Sequence, residues 1–192
     1  MARKERTIKS PQITIIGEGL TERLYFTHLR RLKNYRYTCK PRNFARQSLE
    51  EMEKLVDNAI ADLCIAVLVF DADVARTNKL EQAKLDALQR KYKNSQNVII
   101  CDSMPSIEFW FLLHYLNTTR HFNTSNDVID VLRKYIPAFD KNERFLSQEK
   151  WVAELLSEGR VDTACKRARS IDTQSASYSN VYKAFAAFDS GK

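Results

Sequence analysis

The sequence predicts an α/β protein: about four mostly parallel strands flanked by helices, with a C-terminal helical extension. Three observations lead there. Short β-branched runs alternate with amphipathic segments over the first 116 residues, the rhythm of successive βα units. Leu63 to Phe70 is continuously apolar, as expected of a central strand covered on both faces. Beyond residue 116 helical periodicity continues and no further strand is convincing.

Each element has its own signal. Pro11 introduces a strand over Gln12 to Ile16, Gly17-Glu18-Gly19 supplies a turn, and Leu20, Tyr25, Phe26, Leu29 and Leu32 recur at helical spacing. Residues 35 to 40 alternate polar and apolar, which suits a half-exposed edge strand. Ser48-Leu49-Glu50-Glu51 is a capping box for a helix carrying Leu49, Met52, Leu55, Val56 and Ile60. After the apolar strand, Asp71 to Asn78 is expected as an exposed loop, Lys79 to Tyr92 as an amphipathic helix and Asn97 to Cys101 as the fourth strand. Pro105 suits the first position of an apolar helix over Ile107 to Leu116. Helices are expected at 125–136, 147–157, 161–170 and 178–188, with Pro137 and Gly159 as stops. No Gly/Ser/Pro-rich linker interrupts the chain. We therefore expect a basic leader (1–10), an α/β core (11–116) and a helical extension packed on it (117–192).

With 192 residues and 44% hydrophobic content, the chain can build one substantial core and is too apolar to be disordered. No apolar stretch approaches a bilayer span, and the polar, basic first residues lack the apolar core of a signal peptide, so a cytoplasmic protein with no membrane partner is expected. Cys39, Cys64, Cys101 and Cys165 are dispersed, without zinc or disulfide spacing, and read as buried thiols. His28, His114 and His121 form no ligand pattern.

Acidic residues gather where the strands end. Glu18 and Glu22 follow the first strand, Asp71 and Asp73 the apolar strand, and Glu108 lies shortly after the fourth. In parallel strands of one sheet these carboxylates share one edge, where open α/β sheets bind ligands. Crowded carboxylates repel unless a cation neutralises them, so a divalent metal site is the economical reading. Asp71 and Asp73 stand at alternate positions, which point the same way in extended backbone. Locally, each acid has a plainer account: Glu22 and Glu108 complement helix dipoles, and the aspartates close a strand. Ser103 and Ser106 precede a helix and are either substrate-phosphate contacts or caps. The net charge of +7 is uneven: residues 1–42 carry +8 and the rest −1. Basic side chains of the first part, among them Arg30, Arg31 and Arg42, together with Arg46, are candidate contacts to a polyanion backbone. A metal cluster beside a basic segment points to phosphate chemistry.

The pieces Ile-Gly-Glu18-Gly19-Leu-Thr21-Glu22 with Tyr25-Phe26, Val-Phe-Asp71-Ala-Asp73, and Ser103-Met-Pro105-Ser106-Ile-Glu108-Phe-Trp110-Phe-Leu-Leu-His114-Tyr together resemble the RloB family of prokaryotic defence-associated proteins, in the Toprim superfamily. Ser179-Asn180-Val181-Tyr182 is similar to the start of that family's C-terminal helix, so the resemblance runs over about residues 11–188. It implies a four-stranded Toprim core holding Mg²⁺, for which Mn²⁺ can substitute, on Glu18 and the Asp71/Asp73 pair. By the same resemblance Glu22 matches the second glutamate of the E-G-x-T-E motif of related overcoming-lysogenization-defect nucleases, and Glu108 matches an E-x-W acid. No topoisomerase tyrosine or zinc module can be assigned, which favours plain hydrolysis. Such proteins are similar to toxins that act with a partner ATPase in phage defence; this chain has no Walker motif, so that ATPase would be a separate subunit.

The expected function is a Mg²⁺-dependent nuclease acting on RNA, tRNA included, or on DNA, with Glu18, Glu22, Asp71 and Asp73 as ligands and Glu108 as ligand or water-orienting base. The alternative is a non-catalytic sensor or adaptor that binds a phosphorylated ligand or a partner protein. Neither reading excludes a homo-oligomer.

Overall fold

The computed structural model describes residues 12–41, 47–74, 78–172 and 176–190. Five strands form one sheet in the order β2-β1-β3-β4-β5. Four of them, β1 (Ile13–Gly17), β2 (Tyr37–Lys40), β3 (Ile65–Asp71) and β4 (Val98–Met104), run parallel, and β5 (Tyr178–Ser179) returns antiparallel beside the end of β4. Between the parallel strands lie α1 (Leu20–Lys33), α2 (Leu49–Ala61) and α3 (Lys79–Tyr92). The capping box predicted at Ser48 forms, with Ser48 N–H donating to Glu51 Oε2 at 2.8 Å and Glu51 N–H to Ser48 Oγ at 3.3 Å.

Alternation sorts the core into two layers, because successive strand side chains point to opposite faces. Val67 and Val69 of β3 join Ile13, Ile15, Tyr25 and Phe26 on one face. Ala66, Leu68 and Phe70 join Met52, Val56, Leu85 and Leu88 of α2 and α3 on the other. The first layer is the larger and continues without a break into the tail: α4 (Glu108–Leu113), α5 (Ser125–Leu132), α6 (Glu143–Leu146), α7 (Lys150–Leu156), α8 (Arg160–Arg169) and α9 (Tyr182–Ser190). Phe109, Trp110, Leu112 and Leu113 are wholly buried, as core packing rather than a base-stacking surface requires.

Local expectations fail in identifiable places. Leu63 is not strand but turn, with φ +58° and 82% exposure, and β3 starts at Ile65. Pro105 precedes α4 rather than opening it, since the helix begins at Glu108. A strand exists beyond residue 116 after all: β5 lies where a helix over 178–188 was expected, and α9 starts only at Tyr182. Two polar-flanked residues carry no strand periodicity, so β5 owes its form to pairing with Ser103 and Met104. The thiols of Cys64, Cys101 and Cys165 are buried and free, and Cys39 is half-buried and free. No helix among the described residues is long and apolar enough to cross a membrane. The leader at 1–10 lies outside the described residues.

Candidate active site

Because β1, β3 and β4 run the same way, their carboxyl ends open on one edge of the sheet, and each delivers acid there. Glu18 follows β1 directly. Its N–H donates to Val69 O at 3.2 Å, and its Oε2 accepts the Asp71 N–H at 3.1 Å, so the β1 turn is laced to the end of β3. Glu22, in the first turn of α1, accepts the Gly19 N–H on Oε2 at 2.9 Å. Gly17 is what lets the helix sit so close: a Cβ there would stand 2.9 Å from Glu22 Cβ. Asp71 closes β3 and its Oδ1 accepts the Ile107 N–H at 2.9 Å, tying that strand to the approach of α4. Asp73 Oδ1 accepts the Val74 N–H at 2.7 Å. Glu108 opens α4 fully buried; its Oε1 lies 3.1 Å from Lys141 Nζ, and among the described residues its carboxylate has no further hydrogen-bond partner.

Glu18, Glu22, Asp71 and Asp73 line one cleft of about 380 Å³, together with Ser125 and Lys141. Glu108 reaches the cluster from below through Lys141. Burial pushes the Glu22 carboxyl up to about 7, and the neighbouring charges of Glu108 and Glu18 push the same way, against a backbone hydrogen bond that lowers it. Burial first, then Glu22, Glu108 and Glu18, raise Asp71 well above the usual carboxylate range. Partial burial draws the Lys141 ammonium down, but Glu108 and Asp71 outweigh it and hold it above its ordinary value. As they stand, no three His, Cys, Asp or Glu side chains among the described residues form a ready metal-ligand group. Backbone N–H groups and Lys141 hold these carboxylates instead.

The other expected site residues fare differently. Ser103 lies in β4, not at a helix start; it is 0% exposed and its Oγ is 2.8 Å from Ser179 Oγ. Ser106 is buried with no hydrogen-bond partner for its Oγ, and no side chain caps α4. Neither serine offers a surface to a phosphate, because both are buried, at 0% and 1% exposure. Arg30 and Arg31 are also displaced. They occupy the last turn of α1, roughly 12 Å along the helix axis from Glu22, where Arg30 donates to Tyr37 O at 3.1 Å and Arg31 Nε stands 3.3 Å from Glu149 Oε2. A helix antiparallel to its strand carries its own end away from the strand's end. Arg42 and Arg46 lie outside the described residues.

Sequence reasoning missed Lys141 and Ser125. Ser125 starts α5, behind the Thr124 cap, and Lys141 sits in the Asp140-Lys141-Asn142 connection before α6. A lysine alone in a polar connection carries no local signal of a destination among acids more than thirty residues away.

No curated protein and no solved structure matches this chain. A family model does, over residues 13–187, which takes in every described strand and all five converging acids. The chain therefore belongs to the RloB-like protein family.

Proposed function

We propose that the protein is a Mg²⁺-dependent nuclease that hydrolyses phosphodiester bonds, an effector of phage defence as family membership suggests. The observation that carries it is the convergence of Glu18, Glu22, Asp71 and Asp73 on one cleft, with the buried carboxylate of Glu108, paired to Lys141, next to them. Burying carboxylates beside one another is costly, and it persists where a cation offsets the repulsion. The donors suit magnesium in kind, since all are hard oxygens. Glu18, Glu22, Asp71 and Asp73 are the residues to hold it. When bound, the metal would supply an activated water and stabilise charge on the leaving oxygen. The chain's own residues supply the rest. Glu18 is fixed by the Asp71 N–H and Asp71 by the Ile107 N–H, so both carboxylates present a set geometry. Glu108 is placed to orient a water from within the core, and Lys141 is a cation beside the cleft for an anionic substrate.

One observation favours the sensor or adaptor reading: Lys141 already offsets part of the acidic charge, as an internal cation would. The two readings part on a single gel. Total RNA and plasmid DNA are incubated with the protein in Mg²⁺, in Mn²⁺ and in EDTA, beside Glu18→Ala and Asp71→Ala. The nuclease reading expects metal-dependent fragments that both variants lose while keeping their fold. Full activity in either variant, or no cleavage of either polymer by the parent chain, would overturn it.

A further inference from the structure

Beside the acidic cleft the surface sinks into a smaller slot of about 120 Å³ that shares Glu18 and Asp71 with it. Its remaining walls mix the apolar side chains of Leu49 and Met52 of α2, Phe70 of β3, and Val74 with the polar Gln47, Ser48 and Glu81. Met52 and Phe70 are buried, Leu49 is partly buried and Val74 is 40% exposed. Apolar side chains left in water at the lip of a charged cleft forgo the gain of burial until something apolar covers them. Glu81, held at 2.7 Å by Lys84, adds a hydrogen-bond acceptor at the rim. Apolar walls with a few polar groups are what orient a small ring ligand. The slot has room for one ring system and none for a helix or a peptide strand. A sugar, polar all round, would gain little from the apolar part of these mixed walls; a planar base, with apolar faces and a polar edge, can use both parts.

We infer that this slot takes the base of the nucleotide whose phosphate lies over the acidic cleft. The inference rests on the nuclease reading for its phosphate and adds a substrate class to it: nucleic acid with an unpaired nucleotide. A base seated beside Phe70 has left its stack and its pair, which costs a few kcal/mol in a duplex and least in a loop or single strand. Cleavage therefore falls at loops and single-stranded stretches, and uniform duplex resists it.

The test compares nucleoside 5′-monophosphates with ribose 5-phosphate, which carries the same phosphate and no base, by calorimetry on the full chain in Mg²⁺. The nucleotides are expected to bind roughly tenfold tighter or more. Val74→Trp fills the slot and should bring the two ligands to equal affinity; Leu49→Phe serves if that variant melts at a lower temperature than the parent. Equal affinity in the parent chain, or a preference that survives both filled variants, would overturn the base slot. A hairpin RNA cut in its stem as readily as in its loop would overturn it too. The outcomes separate from those of the nuclease reading. Base preference lost on filling, without any cleavage, keeps the slot and sinks the nuclease; cleavage without base preference does the reverse.

Discussion

Asp71 and Asp102 stand on neighbouring strands, one register step apart: Phe70 pairs with Asp102 and Asp71 with Ser103. They point to opposite faces of the sheet. Asp102 is 5% exposed and fully occupied, its Oδ2 accepting the Tyr178 hydroxyl and its Oδ1 the Asn180 amide, both at 2.8 Å. It anchors β5 to β4. Asp71 accepts one backbone N–H and meets the like charges of Glu22, Glu108 and Glu18, which Lys141 offsets only in part. Two aspartates at one end of one sheet, Asp102 buried and Asp71 partly so, thus have opposite surroundings. Neutral donors satisfy one, while like charges crowd the other, and only the second arrangement has something to gain from an added cation.

The comparison breaks most sharply on activity. Asp71→Asn is expected to lower Mg²⁺-dependent cleavage by about 10²- to 10³-fold or more, whereas Asp102→Asn leaves the folded fraction active; initial rates on one substrate check both. Stability should rank them the other way. Asp102→Ala orphans the Tyr178 hydroxyl and the Asn180 amide and should cost about 3 kcal/mol, a fall in Tm of roughly 6–12 °C. A melting curve unchanged by that substitution would remove Asp102 from its anchoring role.

pH sharpens the contrast next. A carboxyl raised in the folded state, as Glu22 is from 4.5 to about 7, contributes stability that is whole below 4.5 and is lost as pH rises through 7. In EDTA, Glu22→Gln should therefore match the parent at pH 4.5 and exceed it at pH 8, by no more than about 3 kcal/mol. Saturating Mg²⁺ should reverse the order, since binding to the folded state alone stabilises the parent by about 4.1 kcal/mol at roughly one thousand times Kd. Paired melts at the two pH values, with and without metal, read all four corners. The smallest effect belongs to Lys141, whose side chain is 42% exposed. Lys141→Met should destabilise the metal-free protein by only about 1 kcal/mol, and Mg²⁺ should erase the difference.

Much of this was legible in the chain itself. The acids after β1 and β3 could be placed on one edge because parallel strands of a βα protein all end there, and the capping box at Ser48 needed only its four residues. Where the reading failed, the deciding partner was distant. Ser103 has the sequence context of a helix start, yet Ser179, seventy-six positions on, bonds to it and buries it. Arg30 and Arg31 are basic and early, but helix length carries them away from the cleft.

The amino-acid order by itself determined which segments became the four parallel strands and the helices between them, and on which edge the carboxylates gather, because periodicity, caps and turns act between residues a few positions apart. Tertiary structure alone decided that Lys141 sits against Glu108, that β5 closes the sheet, and which aspartate is satisfied and which is crowded. Those outcomes depend on which surfaces the helical tail covers when it packs, a choice made by burial over the whole core and written in no short stretch of the chain.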